Sequence, residues 1–270
     1  MNYLVVKMEK ITRKFKRLVV RIATPIAKTG NGPAVGGKVN NLMLIGTEEG
    51  NGTEGKKYIV KGLRGWINHA MMTLAKEQGI EVCHTSDKTE TQKGELLLPE
   101  GFHPIAKCFE KGKECIKHRL MGSFSKGSKL LFKPVIIISK NYKGKISENI
   151  QPMHIATDNR NALMQHTKTA IQDFGERYFA GEFTLQIEFL EGVTKEELGF
   201  LLKSILYAPE IGLGAAVNNG SGEMRILEVV LQQVERYRGF NEYGKVIEEE
   251  KTRNLWKEMQ EGMKAWPVEI

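Results

Sequence analysis

The sequence predicts an α+β protein of a single domain, and three observations predict it. Two amphipathic helical stretches, near 63–78 and 194–206, stand between apolar segments of strand character. Those segments, 17–23, 130–139, 183–190 and 223–231, are rich in β-branched residues or alternate at period two. The resulting order is β-α-β-β-α-β, which places helices on one face of an antiparallel sheet in the ferredoxin-like (RRM-like) arrangement.

Residues 17–23 (R-L-V-V-R-I-A) form the first strand. The segment from Thr24 to Gly55 holds eight glycines and two prolines, and a short strand is expected within it near 39–46. Tyr58 to Gly62 lead into the first helix. Leu63, Trp66, Ile67, Ala70, Met71 and Leu74 mark its buried stripe, and Gly79 ends it. Lys61 and Arg64 sit at the positive end of this helix, where a phosphate is welcome. From the helix alone they read as an ordinary solvated face.

Leu130 to Ser139 is a strongly apolar strand whose Pro134 marks an edge or bulge. Phe183 to Leu190 alternates at period two. Thr194 and Glu197 have capping-box spacing and open the second helix, which Pro209 is expected to stop. The last main strand, 223–231, precedes a charged tail (232–270) with a helix expected from about Lys245 to Met259. The core is thus 17–79, 130–140 and 183–231. An insertion occupies 80–129, and an excursion of hairpin character occupies 141–182.

The chain has 270 residues, enough to bury a full core, and carries 40 Lys and Arg against 32 Asp and Glu. The net charge of +8 suits a nucleic-acid partner. No apolar run reaches the roughly 18 residues of a membrane span, and the N-terminus shows no signal-peptide core. Three cysteines are too few for a disulfide scaffold, so a reducing cytoplasm is expected.

All three cysteines and three of the six histidines fall between residues 80 and 122. Cys83, Cys108, Cys115 and His118 supply the donor set of a structural zinc site, with His84 or His103 able to replace one ligand. The spacing matches no standard finger. The alternative is buried free cysteines with surface histidines. If zinc is bound, its loss is expected to unfold the insertion alone.

Gly212 to Gly222 reads G-L-G-A-A-V-N-N-G-S-G, two Gly-x-Gly pairs flanking five residues. Such a backbone can approach a ligand closely and point successive N–H groups at an anion. Asn218 and Asn219 add side-chain donors and tolerate αL, which favours a shaped loop over a floppy one. The spacing is neither a dinucleotide fingerprint nor a phosphate loop.

With these segments in order, the chain resembles the RAMP superfamily of CRISPR-associated proteins, and within it the Cas-seven-type backbone subunits. The glycine stretch before the last strand is similar to the glycine-rich loop of that superfamily. Lys61-Gly62-Leu63-Arg64-Gly65 resembles the motif opening the first helix, and Cys115 to Ser123 resembles a C-x2-C-R-L-F-G-S segment with His118 in place of a cysteine. Ile155 to Arg160 stands where the family has an I-x-I-D-R segment in its thumb. These matches span about residues 17 to 231.

The resemblance implies a subunit that oligomerises along a CRISPR guide RNA (crRNA) and presents it for pairing with target DNA or RNA, beside other effector subunits. It implies phosphate contacts at Lys61, Gly62, Arg64 and Gly65, and at the backbone of Gly212, Gly214, Gly220 and Gly222. Asn218, Asn219, Arg119, Ser123 and Arg160 join that set. The thumb would span about 150–180, with Met153 or His154 as the residue wedged between bases.

Target-cutting relatives use an aspartate in the loop after the first strand. Here residues 24–56 contain none and offer only Glu48, Glu49 and Glu54. A non-cleaving type I or type IV backbone, with no catalytic cofactor, is therefore expected over a type III one. Two readings compete with it: a RAMP-type endoribonuclease using His69 or His154 as general base, and a zinc-stabilised interaction module with no RNA role.

Overall fold

A computed structural model describes residues 11–27, 42–47, 55–84, 101–109, 112, 114–122, 127–163, 170–190, 192–213, 222–241 and 243–266. Strand β1 (Ile11–Ala27) is the spine of the sheet. Its Leu18, Val20 and Ile22 enter the core, while Arg17, Val19 and Arg21 point to the opposite face, as the period of a strand requires. Strands β2 (Leu42–Thr47) and β3 (Lys56–Val60) precede helix α1 (Leu63–Glu77). Two short strands, β4 (Val82–Cys83) and β5 (Phe102–His103), pair in parallel, and a 3-10 turn (Ile105–Phe109) and helix α2 (Ile116–Met121) follow.

Next come β6 (Leu130–Phe132), β7 (Val135–Ser139), β8 (Ile150–Leu163), β9 (Ala170–Phe189), α3 (Lys195–Ile211), β10 (Arg225–Phe240), β11 (Val246–Asn254) and α4 (Trp256–Ala265). The main sheet has the order β11-β10-β1-β9-β8-β7-β3-β2, with β6 also paired to β9. All of these pairings are antiparallel except β7 with β8. The protein is thus a mixed α+β molecule with a large, mostly antiparallel sheet and few helices. Helices α1 and α3 pack on one sheet face. The full α1 stripe read from the sequence is buried, and Leu198, Leu201, Leu202 and Ile205 of α3 join it with the strand residues in one core.

The apolar stretch 130–139 is two strands with different partners. β6 bonds to β9, whereas β7 bonds to β3 and β8. Pro134 stands at the changeover, where its missing N–H interrupts no ladder. Two expectations are corrected. Helix α3 does not stop at Pro209: it runs on to Ile211, and Gly212 (φ 67) caps it with its N–H on the Pro209 carbonyl. A proline in the last turn forfeits one hydrogen bond rather than a whole helix.

Residues 246–254 form a strand rather than the start of a helix. β10 extends to Phe240 and supplies cross-strand cations to this charged partner. Arg236 meets Glu250 at 2.6 Å, and Arg238 meets Glu248 at 2.7 Å. Cross-strand pairing overrides the helix propensity of Glu and Lys here.

Helices α3 and α4 approach closely at two glycines. A Cβ on Gly199 would overlap the Gly262 carbonyl oxygen and sit 2.8 Å from Trp266 Cβ. Gly199→Ala is therefore expected to destabilise the protein by about 1–3 kcal/mol through overpacking. The gain in helix propensity of about 1 kcal/mol works against this cost. Urea unfolding of the variant measures the balance, and an unchanged midpoint would show that the helices can part.

Candidate nucleic-acid interface and metal cluster

The cluster is assembled from four short elements. Parallel pairing of β4 with β5 puts Cys83 opposite His103, and the His84 N–H donates to the His103 carbonyl at 3.0 Å. The 3-10 turn brings Cys108. Cys115 is the N-cap of α2, its sulfur accepting the His118 N–H, which sets His118 in the first turn. The sulfurs of Cys83 and Cys115 lie 3.6 Å apart, Cys83 Sγ lies 3.9 Å from His118 Nδ1, and His103 Nε2 lies 3.1 Å from Cys108 Sγ.

Cys83, Cys108 and His118 hold their ligand atoms within 4.8 Å of one another, as do His103, Cys108 and Cys115. A tetrahedron with metal–sulfur bonds of about 2.3 Å has edges of about 3.8 Å, so these spacings suit one ion. The three cysteines are free, and the 3.6 Å between Cys83 and Cys115 is far beyond a disulfide bond.

Electrostatics favour a thiolate at Cys115. The Cys83 thiol and the backbone N–H groups of Cys83 and His118 donate to its sulfur and hold its pKa down at about 5. The Cys83 thiol is pushed up by that same bond and by burial, and burial likewise raises Cys108. His103 turns its Nδ1 to Glu81 at 3.4 Å, which aims Nε2 into the cluster. No local pattern in the chain singles out Glu81. His84 packs edge-on against Phe102, with centroids 5.6 Å apart, and does not belong to either ligand group.

The expected nucleic-acid residues divide. At the head of α1, Gly62 is the N-cap in the αL region (φ 82), and as glycine it offers the first-turn N–H groups no side-chain acceptor. Lys61 is half-buried, while Arg64 and Gly65 are exposed. The Arg64 guanidinium donates to the Met121 carbonyl at 2.6 Å, so α2 orients it. A Cβ on Gly65 would meet nothing within 4 Å. The fold does not demand a glycine there, and a helix interior disfavours one by about 1 kcal/mol relative to alanine.

The mouth of the glycine stretch is pinned shut. Leu213 N–H donates to the Gly222 carbonyl at 2.8 Å, and Gly222 N–H donates to the Ile26 carbonyl at 2.7 Å. Gly222 takes φ 95, which suits glycine alone. Gly214, Asn218, Asn219, Gly220 and Ser123 lie outside the described residues, as do Glu48, Glu49 and Glu54. Arg119 is engaged in the protein itself, with Glu197 at 3.1 Å and Glu196 at 3.6 Å.

The excursion is a long antiparallel ribbon of β8 and β9, paired from His154↔Ala180 to Leu163↔Ala170, with Arg160 opposite Phe174 and a register shift just beyond it. Of the two residues expected as the wedge, Met153 is corrected: it is fully buried in the core, while His154 is exposed. Period two explains this, since adjacent strand residues face opposite ways. His154 lines a cleft of about 300 Å³ at the ribbon's base with Pro25, Ile26, Lys140, Asn141 and Tyr178. Lys140, Asn141 and Tyr178 were missed from the sequence, because nothing local links them to the ends of β1 and β8.

No family model and no curated protein matches this chain. Solved structures do match it, and two of them show the likeness. One is a chain from the Type III-B Cmr-beta bound to cognate target RNA, with 11% identity over 81% of this chain and a TM-score of 0.36. The alignment covers 61% of that longer chain. The other comes from a Type IV-B CRISPR complex, with 13% identity over 79% of this chain and 90% of that one, at a TM-score of 0.42. Among the described residues, no helix is long and apolar enough to cross a membrane.

Proposed function

We propose that this protein is a crRNA-binding backbone subunit of a CRISPR effector complex, built on a ferredoxin-like core and acting without catalysis. The observation that carries this is the head of α1. An uncapped helix start, a Gly62 in αL and an exposed Gly65 with open space around it let an RNA backbone approach closely between Lys61 and Arg64. The strand order β10-β1-β9-β6, with α1 and α3 as its two crossings, supports the core assignment. The pinned glycine stretch, the end of β1 and the ribbon base with His154 meet through Ile26, which supports a continuous RNA path. We further propose that the cluster of Cys83, Cys108, Cys115 and a histidine holds one structural zinc ion, in a reducing compartment that keeps the sulfurs free.

The test is a salt titration of binding to single-stranded RNA of guide length, with size-exclusion chromatography beside it. Tight binding, several copies per RNA and a steep salt slope are expected. Replacing Lys61 and Arg64 should lower the slope by about 0.7 per lost phosphate contact. A monomer indifferent to RNA would sink the proposal. RNA recovered intact with and without divalent metal is expected, and cleavage would restore the endoribonuclease reading.

Gly65→Ala separates ligand approach from folding. It should stabilise the helix by about 0.5–1 kcal/mol while weakening RNA binding. Thermal melts and RNA titration of the same sample measure both. Unimpaired binding would place the RNA elsewhere.

A further inference from the structure

Strand β10 pairs with β1 along most of its length, but with β11 only from Gln232↔Asn254 onward. Among the described residues, the outer backbone edge of Arg225–Val230 has no strand partner. The last bond on that side is the Leu255 N–H to the Leu231 carbonyl at 2.8 Å. Beside this edge runs an apolar groove of about 310 Å³ between β10, α3 and α4, lined by Leu202, Leu206, Leu227, Val229, Trp256 and Met263. Leu206, Leu227 and Trp256 are 47%, 43% and 56% exposed, large values for apolar side chains that are contiguous.

Trp256 also borders a second cleft of about 730 Å³ lined by Lys16, Lys195, Arg253 and Lys257 with Glu258 and Glu261. Lys16 pairs with Glu258, and Lys195 pairs with Glu261 at 2.7 Å. Arg253 and Lys257 have no ion-pair partner among the described residues. The groove thus ends at a cleft where four cations face two carboxylates, an excess of positive charge.

We propose that this groove docks an extended segment of a partner protein by strand addition to the free edge of β10. The segment is apolar at alternate positions and acidic at the end that meets Arg253 and Lys257. Main-chain hydrogen bonds to the strand edge would fix its register, and the groove would take every second side chain. Residues placed at the head of α1 and on the glycine stretch take no part, so this inference goes beyond the RNA-binding proposal and stands without it.

The protein carries its own reporter. Of its three tryptophans, Trp66 and Trp266 are buried at 7% and 4%, so environment-sensitive fluorescence comes from Trp256. The probe is a blocked peptide of about eight alternating Val and Glu residues, a common strand length. Saturable blue-shifted emission is expected, with amide exchange at 226–230 slowed about tenfold or more. Leu227→Asp should abolish the shift and Arg253→Glu should weaken it, with RNA binding unchanged in both.

An alternating Val and Lys peptide should fail, as should the Val and Glu peptide with its edge-facing amides methylated. Equal binding of either control would overturn the proposal. So would a fluorescence response to oligouridylate but not to peptide, which would make the surface a nucleic-acid contact. Loss of RNA binding by the α1 variants with an intact peptide response would fault the RNA proposal alone.

Discussion

Cys83→Ser is expected to lower stability by more than about 4 kcal/mol, the range that follows loss of a metal or a comparable buried network. At about 2–4 °C per kcal/mol, the melting temperature should fall by roughly 10 °C or more. Cys83 is 1% exposed, with its sulfur 3.6 Å from that of Cys115 and 3.9 Å from His118 Nδ1. The damage should not stay local. Ile116, Leu120 and Met121 of α2 belong to the main core, and Arg64 of α1 holds the α2 carboxyl end through Met121. Loss of the ion would therefore loosen the packing of α1 as well as 80–122, contrary to the expectation that only the insertion unfolds.

The measurement is metal content by mass spectrometry beside thermal melts with and without a chelator. One zinc per chain, lost in Cys83→Ser together with the stability, is the expected result. Metal-free protein with an unchanged melt would reduce the cluster to buried thiols and histidines. His103→Ala and His118→Ala then decide the fourth ligand. Glu81 orients His103, so Glu81→Gln should weaken metal affinity by about 10–100-fold only if His103 is that ligand.

What was legible in the sequence was set by local periodicity. The α1 stripe and the Thr194–Glu197 capping box emerged as read, because each is decided within one or two turns of chain. The Cys and His residues were also legible as a group, since few soft ligands occur elsewhere. What could not be read depends on distant partners. Arg119 reads from the sequence as a phosphate contact, and only the fold shows that it also pairs with Glu197, 78 residues away. Residues 246–254 read as helix because the arginines that hold them as a strand lie on β10. Met153 and His154 are neighbours in the chain, and only the register of β8 decides which one is buried.

Glu197→Gln is expected to cost about 3–5 kcal/mol, as removal of one partner from a buried ion pair does. Glu197 is fully buried and does three jobs at once. It receives Lys129 at 2.9 Å and Arg119 at 3.1 Å, and its carboxylate accepts the Thr194 N–H at 3.0 Å while its own N–H donates to Thr194 Oγ1. Glutamine keeps the shape and the capping bond but leaves Lys129, a 14% exposed cation, without its charge partner. At about 2–4 °C per kcal/mol, the melting temperature should drop by roughly 6–20 °C.

The pH dependence carries the same signature. Burial raises the Glu197 pKa, but Lys129, the Thr194 N–H and Arg119 together outweigh it and hold the carboxyl below its ordinary value. A carboxyl depressed in the folded state contributes stability that is fully present above the unfolded pKa, about 4.3. That stability is lost as pH falls through the folded value. Denaturant midpoints from pH 7 down to about 3 should therefore fall less steeply in Glu197→Gln than in the parent. Parallel curves would mean that the ion pair contributes nothing net and that Glu197 matters only as a cap. Because Arg119 and Lys129 tie the segments before and after 123–126 to the start of α3, the loss should also be felt at the cluster. Faster amide exchange in 115–121 of the variant would show that coupling.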